Sequence, residues 1–181
     1  MPTSDSSHKR KSVLRTIRIT EAQDEVLRKD SKSKGLYVNA LLSTIITKYV
    51  EWDRYGDRFG FVSASKETFR ALIETTDEQK LLATARELGA RIPKEAVLFW
   101  RKKVNLDSYL SFLSLVSRYQ KLAEFEIEAE SGDTVITARH EFGEKWSKWL
   151  KVFLDESLRE SFGIQPRFDV SKGFVVATFK S

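Results

Sequence analysis

The sequence predicts an α+β protein with an N-terminal strand–helix–helix module, a short helical connector and a C-terminal domain that contains one helix–strand–strand unit twice. Three observations lead to this fold class. Near the N-terminus, an alternating β-branched segment precedes two stretches of helical periodicity. Near the C-terminus, a helix, strand, strand order recurs at an offset of about 41 residues. Hydrophobic residues make up 41% and charged residues 31%, as in a folded chain.

The residue inventory excludes several kinds of chemistry. The 181 residues contain no Cys, which removes disulfides, thiolate-bound zinc, iron–sulfur clusters and thiol catalysis. Two histidines, His8 and His140, are too few for an imidazole metal site, so no metal and no cofactor is predicted. The chain has neither an apolar run of roughly 18 residues nor an apolar signal region, which predicts a cytoplasmic protein without a membrane partner.

Positive charge is concentrated at the N-terminus. Residues 1–54 contain 11 Lys and Arg against 7 Asp and Glu, which accounts for +4 of the net charge of +5. Five cations fall within ten residues that contain no acid: Lys9, Arg10, Lys11, Arg15 and Arg18. This cluster favours a polyanionic partner, although a solvated basic tail has the same composition. Residues 1–11 are predicted to be a disordered basic tail.

A strand is predicted after this tail. Residues 13–20 are rich in β-branched side chains and alternate in polarity. Because successive side chains of a strand point to opposite faces, Ile17 and Ile19 share one face, and Thr16 and Arg18 share the other.

Two helices are expected after the strand. The Thr-x-x-Gln spacing at residues 20–23 is that of a capping box, which predicts a helix over about 21–33 that ends before Gly35. A second helix is predicted over about 38–53, with an apolar face too wide for one short neighbour to cover. That face consists of Val38, Leu41, Leu42, Ile45, Ile46, Tyr49 and Val50.

A twofold dimer would cover both the strand and the second helix. A lone strand has two unpaired edges, and two helices cannot bury this many aliphatic side chains within roughly 45 residues. Pairing the strand with its symmetry mate gives an antiparallel ribbon over four interlocked helices. The predicted dimer core is Ile17, Ile19, Leu41, Leu42 and Ile45.

In the order strand, capped helix, Gly and second helix, residues 12–54 resemble the ribbon-helix-helix DNA-binding family of the Arc and methionine repressors. In that family the paired strands enter the major groove, and outward side chains contact base edges. The resemblance assigns this role to Leu14, Thr16 and Arg18. Arg18 is the best candidate for specificity because arginine forms bidentate hydrogen bonds with guanine. The resemblance implies double-stranded DNA as the partner of a homodimer, which could form higher oligomers on DNA.

The resemblance also implies phosphate contacts at the start of the second helix. The family uses free backbone amides there, which correspond to Tyr37, Val38 and Asn39. The predicted phosphate contacts are completed by Arg15 and by the tail residues Lys9, Arg10 and Lys11. The chain differs from the family in having Tyr37 where a small cap is frequent and Arg15 where an apolar residue is usual. A register shifted by one residue would make Arg15 a DNA contact and worsen the inward face.

Residues 55–104 are predicted to be a helical connector that packs on the C-terminal domain. Two Gly among aromatic and charged residues predict a turn over 54–60 and a boundary near Tyr55. Three short helices are expected. The first begins after a cap at Ser65, the second begins with a capping box at 76–79 and ends at Gly89, and the third begins at Pro93. A helical hairpin that makes a second DNA contact is the alternative.

The C-terminal domain, residues 105–181, is predicted to contain two αββ halves that form one four-stranded antiparallel sheet with two helices on a face. Its expected elements are a helix over 106–120, strands over 122–129 and 134–140, a helix around 146–158, and strands over 165–170 and 174–180. Placing Gly132 over Gly173 aligns the halves and puts Ile127 over Phe168. The complete prediction is an α+β chain with a ribbon-helix-helix dimer module, a helical connector and a C-terminal (αββ)2 domain for sensing or assembly.

One polar and aromatic cluster, at residues 140–147, is a candidate ligand site. Free amides at a helix start beside His140, Glu144 and Trp146 could hold a carboxylate or phosphate, provided that Trp146 is partly exposed. The alternative is a turn followed by core tryptophans and a satisfied histidine. The whole chain also resembles archaeal proteins of unassigned role that join a ribbon-helix-helix start to this His-Glu-Phe-Gly-Glu-Lys-Trp-Ser segment.

These observations and the resemblance together predict a sequence-specific DNA-binding homodimer. It would be a nucleoid-associated transcriptional regulator with an unidentified small-molecule or protein effector. The sequence has no nucleophile elbow, phosphate-binding loop, dinucleotide fingerprint or paired metal-ligand motif, so no enzymatic activity is predicted. Two alternatives stay open. One is an architectural DNA-binding protein without an effector, and the other is an antitoxin-like adaptor whose C-terminal domain binds a protein.

Overall fold

The computed structural model describes residues 12–130 and 132–180 of the chain. Two compact units are present, and the division between them lies between Thr47 and Lys48. The boundaries predicted near Tyr55 and at residue 105 both lie inside the second unit. The predicted connector and the predicted C-terminal domain therefore belong to one compact body.

The first unit contains two helices. α1 spans Glu21–Ser33, which confirms the predicted bounds, and α2 spans Val38–Lys48. The chain is helical over the whole predicted range 38–53, but Tyr49–Asp53 is π-helical instead of α-helical. Residues 12–20 belong to no helix or sheet of the single chain. A strand that pairs with a symmetry mate needs a second chain, so the ribbon stays a prediction.

The second unit begins with helical turns where the sequence predicted a turn. Arg54–Phe59 forms α3, and Gly60, at a φ of +68°, ends it. Trp52 shows why this segment is ordered: it is buried and stacks on Phe61 with ring centroids 5.1 Å apart. The indole of Trp100 also donates a hydrogen bond to the carbonyl oxygen of Glu51 at 3.2 Å. The aromatic residues that suggested a loop are thus attached to the core of the second unit.

Side-chain caps set the starts of the next three helices. α4 spans Lys66–Thr75, α5 spans Glu78–Arg101 and α6 spans Leu106–Tyr119. Their caps are Ser65, Asp77 and Asn105, each of which accepts a hydrogen bond from a backbone amide three residues on. The cap at Ser65 was predicted, whereas the capping box at 76–79 is wrong because Asp77, not Thr76, caps α5.

α5 continues through both residues that were expected to interrupt it. Gly89 does not end a helix and Pro93 does not begin one, since both lie inside α5 and both are buried. Pro93 has no amide hydrogen for the carbonyl of Gly89, which leaves that oxygen without its normal helical donor. The hydroxyl of Ser157 lies 3.2 Å from this carbonyl oxygen and 2.6 Å from the carbonyl oxygen of Phe153, so its single proton is shared between the two acceptors. The two short helices expected from Gly89 and Pro93 are therefore one continuous helix, α5. A side chain of the neighbouring α7 contacts the carbonyl oxygen that Pro93 leaves without its helical donor.

The remaining elements form the predicted sheet. β1 spans Glu124–Glu130 and β2 spans Asp133–Arg139. After α7, which spans Glu144–Phe162, come β3, Arg167–Ser171, and β4, Phe174–Lys180. The strand order is β1-β2-β4-β3, and every neighbouring pair is antiparallel. The four-stranded antiparallel sheet and its two αββ halves are therefore confirmed.

The register confirms the equivalence of the two halves. Ile127 pairs with Ile136 in the first half, and Phe168 pairs with Ala177 in the second. Ile136 and Ala177 are themselves partners and are fully buried, which places all four side chains on the helix-covered face. The predicted turn over 130–133 includes Ser131, which lies outside the described residues.

The core lies between this face of the sheet and the helices. α6 contacts β1, α7 contacts β3 and β4, and α5 packs along α7 as a third helix. The largest fully buried side chains are Tyr109, Ile136, Leu154 and Leu158. Tryptophan and phenylalanine side chains fill much of the remaining interior. The second unit therefore has its own hydrophobic core.

Candidate nucleic-acid interface

The predicted base-contacting residues lie on an exposed segment of the first unit. Leu14 is 90% exposed, and Thr16 and Arg18 are exposed as well. Arg15 donates a hydrogen bond from Nη1 to the carbonyl oxygen of Leu14 at 3.3 Å. Among the side chains that the structure describes, no carboxylate forms a salt bridge with Arg15 or Arg18. Neither guanidinium group is paired with a described carboxylate, so both can contact an external anion.

The tail cations Lys9, Arg10 and Lys11 lie outside the described residues. Their predicted phosphate contacts are not tested by the structure.

The start of α1 confirms the predicted capping box. The hydroxyl of Thr20 accepts a hydrogen bond from the amide of Gln23 at 3.3 Å, and the amide of Thr20 donates to the side-chain oxygen of Gln23 at 2.9 Å. This reciprocal pair satisfies two backbone donors at the helix start. It fixes where the exposed segment of residues 12–20 ends and the helix begins.

The end of α1 is a Schellman motif, which explains Gly35. The amide of Leu36 donates to the carbonyl of Ser31 at 2.8 Å, and the amide of Gly35 donates to the carbonyl of Lys32 at 3.1 Å. Gly35 has a φ of +64°, a conformation that glycine adopts without a Cβ penalty. The connection between the two helices is therefore short and locally determined.

The predicted phosphate clamp lies at the start of α2. Tyr37 is 87% exposed and precedes the helix, and its carbonyl oxygen accepts hydrogen bonds from the amides of Ala40 and Leu41. The first amides of a helix have no intrahelical acceptor, and the helix dipole gives this end a positive potential. Val38 and Asn39 are the first two residues of α2 and therefore carry such amides.

The predicted dimer-core residues do not form a core within one chain. Ile17 is 63% exposed, Ile19 is 40% exposed and Ile45 is 47% exposed, whereas Leu42 is half-buried and Leu41 is buried. Further exposed aliphatic side chains in this unit are Val13, Val26, Leu36 and Ile46. The first unit consequently leaves most of its large apolar side chains in contact with solvent.

The second candidate site does not come together. His140, Glu144 and Trp146 border three different cavities, and Trp146 is only 5% exposed, so these three side chains do not share one pocket. The indole nitrogen of Trp146 donates to the carbonyl oxygen of Leu122 at 3.2 Å, as expected of a core tryptophan. Glu144 is exposed and forms a salt bridge with Lys148 at 3.2 Å.

His140 takes part in a structural hydrogen-bond network. Its Nδ1 accepts from the amide of Phe142 at 3.2 Å, which makes Nε2 the protonated nitrogen and the donor to the Ser147 hydroxyl at 3.0 Å. That hydroxyl accepts from the amide of Gly173 at 3.1 Å, and the amide of His140 donates to the carbonyl of Gly173 at 2.9 Å. Burial lowers the pKa of His140 from its usual range. The network joins the end of β2, the start of α7 and the β3–β4 turn.

Comparison with known proteins adds no relative. No protein-family model matches the chain, and no curated protein matches it either.

The described residues lack two further features. None of their helices is long and apolar enough to cross a membrane. No three of their His, Cys, Asp or Glu side chains gather where a metal ion could be held.

Proposed function

We propose that this protein is a homodimeric, sequence-specific double-stranded DNA-binding protein that acts as a transcriptional regulator. In this proposal residues 12–20 pair with the same residues of a second copy, and the resulting ribbon enters the major groove. The observation that carries the proposal is the exposed apolar surface of the first unit, together with the free arginines on its N-terminal segment.

The apolar surface supports self-association. Burial of an aliphatic side chain stabilises a protein by roughly 1.5–3 kcal/mol. Ile17, Ile45 and Ile46 are about half exposed or more in the single chain, so much of this stabilisation is missing there. A second copy of the same unit would cover these side chains and would also supply a partner strand for residues 12–20. A twofold axis meets both needs with one contact surface.

The charges support a nucleic-acid partner. Arg15 and Arg18 are exposed beside a capped helix, and the amides at the start of α2 can bind a phosphate oxygen. In a twofold dimer, each of these groups would occur twice. Such a surface combines base contacts, which determine sequence preference, with phosphate contacts, which position the protein on the duplex.

The proposal is tested by selecting duplexes from a randomised pool with the full chain and measuring affinities by fluorescence anisotropy. We expect an enriched sequence and an affinity that falls steeply as salt concentration rises. Arg18→Ala should weaken binding to the selected duplex by about 1–3 kcal/mol and have much less effect on a scrambled duplex, because a base contact is lost.

Arg28→Ala is the matched control. Arg28 is an exposed residue of α1 paired with Asp24, and its loss changes the net charge by the same amount. Sequence preference should be kept in this variant. Equal losses in the two variants on both duplexes would contradict a base-reading role for Arg18. Binding without any enriched sequence would favour an architectural protein, and absence of binding at low salt would leave the first unit as a dimerisation element.

A further inference from the structure

The second unit contains an apolar cavity of about 130 Å³. It lies among α5, α6, α7 and the segment that follows α3. No lining side chain among the described residues is a Lys, Arg, Asp or Glu, and the polar side chains that border it are Tyr109 and Gln120, apart from the indole nitrogens. Phe61, at 37% exposure, is the lining residue most open to solvent, so a small molecule would enter beside it.

One wall of the cavity is a column of stacked aromatic rings on α7. Trp146 and Trp149 have ring centroids 4.4 Å apart and an interplanar angle of 9°. Trp149 and Phe153 follow at 4.9 Å and 12°. Their spacing of three and four residues places the rings on one face of the helix. Trp149 and Phe153 are half-buried, and both line the cavity.

A void of this size is unusual in a protein core. Interiors are packed about as densely as organic crystals, and few voids exceed the volume of one water molecule. Water is a poor occupant here because a buried water needs two to four polar partners, and this lining offers few. Apolar cavities of about 150 Å³ stay dry and bind benzene. The volume and lining of this cavity therefore match a single uncharged aromatic ring.

We propose that this cavity is a binding site for a small, neutral, single-ring aromatic molecule. The aromatic and aliphatic lining provides apolar contact surface for such a ligand. Because no described lining side chain is charged, the charge of a carboxylated or aminated relative would be left unpaired. All the lining residues belong to the second unit. The site therefore does not depend on whether the first unit binds DNA, and it would give the chain a sensing function.

The test uses the full chain with toluene as the neutral probe and benzoate as the charged probe of the same ring. Binding is measured by isothermal titration calorimetry and by broadening of the toluene methyl resonance, since the heat can be small. We expect saturable binding of one toluene per chain and at least about tenfold weaker binding of benzoate. Absence of saturable toluene binding by both methods, or equal affinity for benzoate, would overturn the proposal.

Two variants locate the site. Val116→Phe adds a ring at a lining residue of α6 and should weaken toluene binding at least about tenfold, whereas Val104→Phe makes the same change at an exposed residue away from the cavity and should have no effect. Ile92→Phe is a second filling variant from α5. Circular dichroism shows which variants fold. If Val116→Phe or Ile92→Phe folds and binds toluene with unchanged affinity, the ligand lies elsewhere and this site is refuted. The comparison of toluene with benzoate uses the wild-type chain and does not depend on any variant.

Discussion

At the scale of single residues, two hydrogen bonds fix the protonation state of His140. The amide of Phe142 donates to Nδ1, and Nε2 donates to the hydroxyl of Ser147. A proton on Nδ1 would break the first bond, and burial already disfavours the charged ring, which lowers the pKa of His140 below 6.5. The neutral histidine therefore stabilises the contact between the β2 end and the β3–β4 turn.

This protonation state predicts a pH dependence of stability. The unfolded chain binds the proton of this histidine with an ordinary pKa of about 6.5, whereas the folded chain binds it only at lower pH. The unfolded state then holds more protons between these values, so the free energy of unfolding falls as pH is lowered from about 6.5 toward the folded pKa. His140→Asn keeps an acceptor near the amide of Phe142 but does not titrate.

The measurement is urea unfolding of both proteins at about pH 7.5 and about pH 5.5. We expect the wild-type protein to lose more stability between the two values than His140→Asn does. His8 is present in both proteins, so its contribution cancels in the comparison. An identical loss in the two proteins would show that His140 keeps its ordinary pKa on folding.

At the scale of secondary-structure elements, the contact between α5 and α7 depends on Gly89. A Cβ at this position would lie 2.7 Å from the carbonyl oxygen of Phe153, a backbone atom that cannot move without shifting α7. Alanine is favoured over glycine in a helix by about 1 kcal/mol, but overpacking of a core costs about 1–3 kcal/mol. Gly89→Ala is therefore expected to be destabilising overall.

Gly56→Ala is the matched control. Gly56 also lies in a helix, and a Cβ there meets Phe61 at an ordinary 3.8 Å. Without a clash, this substitution should stabilise the protein by roughly 0.5–1 kcal/mol through helix propensity. Thermal and urea unfolding measure both effects. Stabilisation by Gly89→Ala would mean that α5 and α7 are less closely packed than the structure shows.

The same glycine shows which elements could be predicted from the sequence. The capping box of α1 and the alternating strands of the sheet were predicted because their signals lie within a few residues. Gly89 was interpreted as a helix end because its close neighbour, Phe153, is far away in the sequence. The helical turns of Arg54–Phe59 were missed for the same reason, since their aromatic side chains, Tyr55 and Phe59, pack on Trp100 of α5.

The candidate sites show the same distinction between local and distant signals. Thr20, Gln23 and Gly35 could be assigned from spacing, and the structure confirms their local roles. Trp146 is a buried core residue, as one interpretation of residues 140–147 expected, and Trp149 packs half-buried against the core, but the cavity beside them depends on how three helices fit together. No sequence period encodes such a fit. Pairing of residues 12–20 depends on a second chain, which a single sequence does not describe.

At the scale of the whole molecule, the proposed dimer forms through the first unit. The exposed Ile45 on α2 would be buried in this interface, and a twofold axis would bring in the same residue from both chains. Ile45→Asp would then bury two carboxylates without partners, which is costly enough to dissociate the dimer. Because the proposed ribbon contains one strand from each chain, DNA binding should be lost together with dimerisation.

Leu72→Asp tests whether this effect belongs to the first unit. Leu72 is 59% exposed on α4 of the second unit, so the variant makes a comparable aliphatic-to-acid change on another exposed helix face. Sedimentation equilibrium should show a dimer for the wild-type protein and for Leu72→Asp, and a monomer for Ile45→Asp. Circular dichroism should show that Ile45→Asp keeps its helix content. Dissociation by Leu72→Asp alone would place the interface in the second unit. A wild-type chain that stays monomeric at micromolar concentration would remove the ribbon, since one copy of residues 12–20 has no strand to pair with.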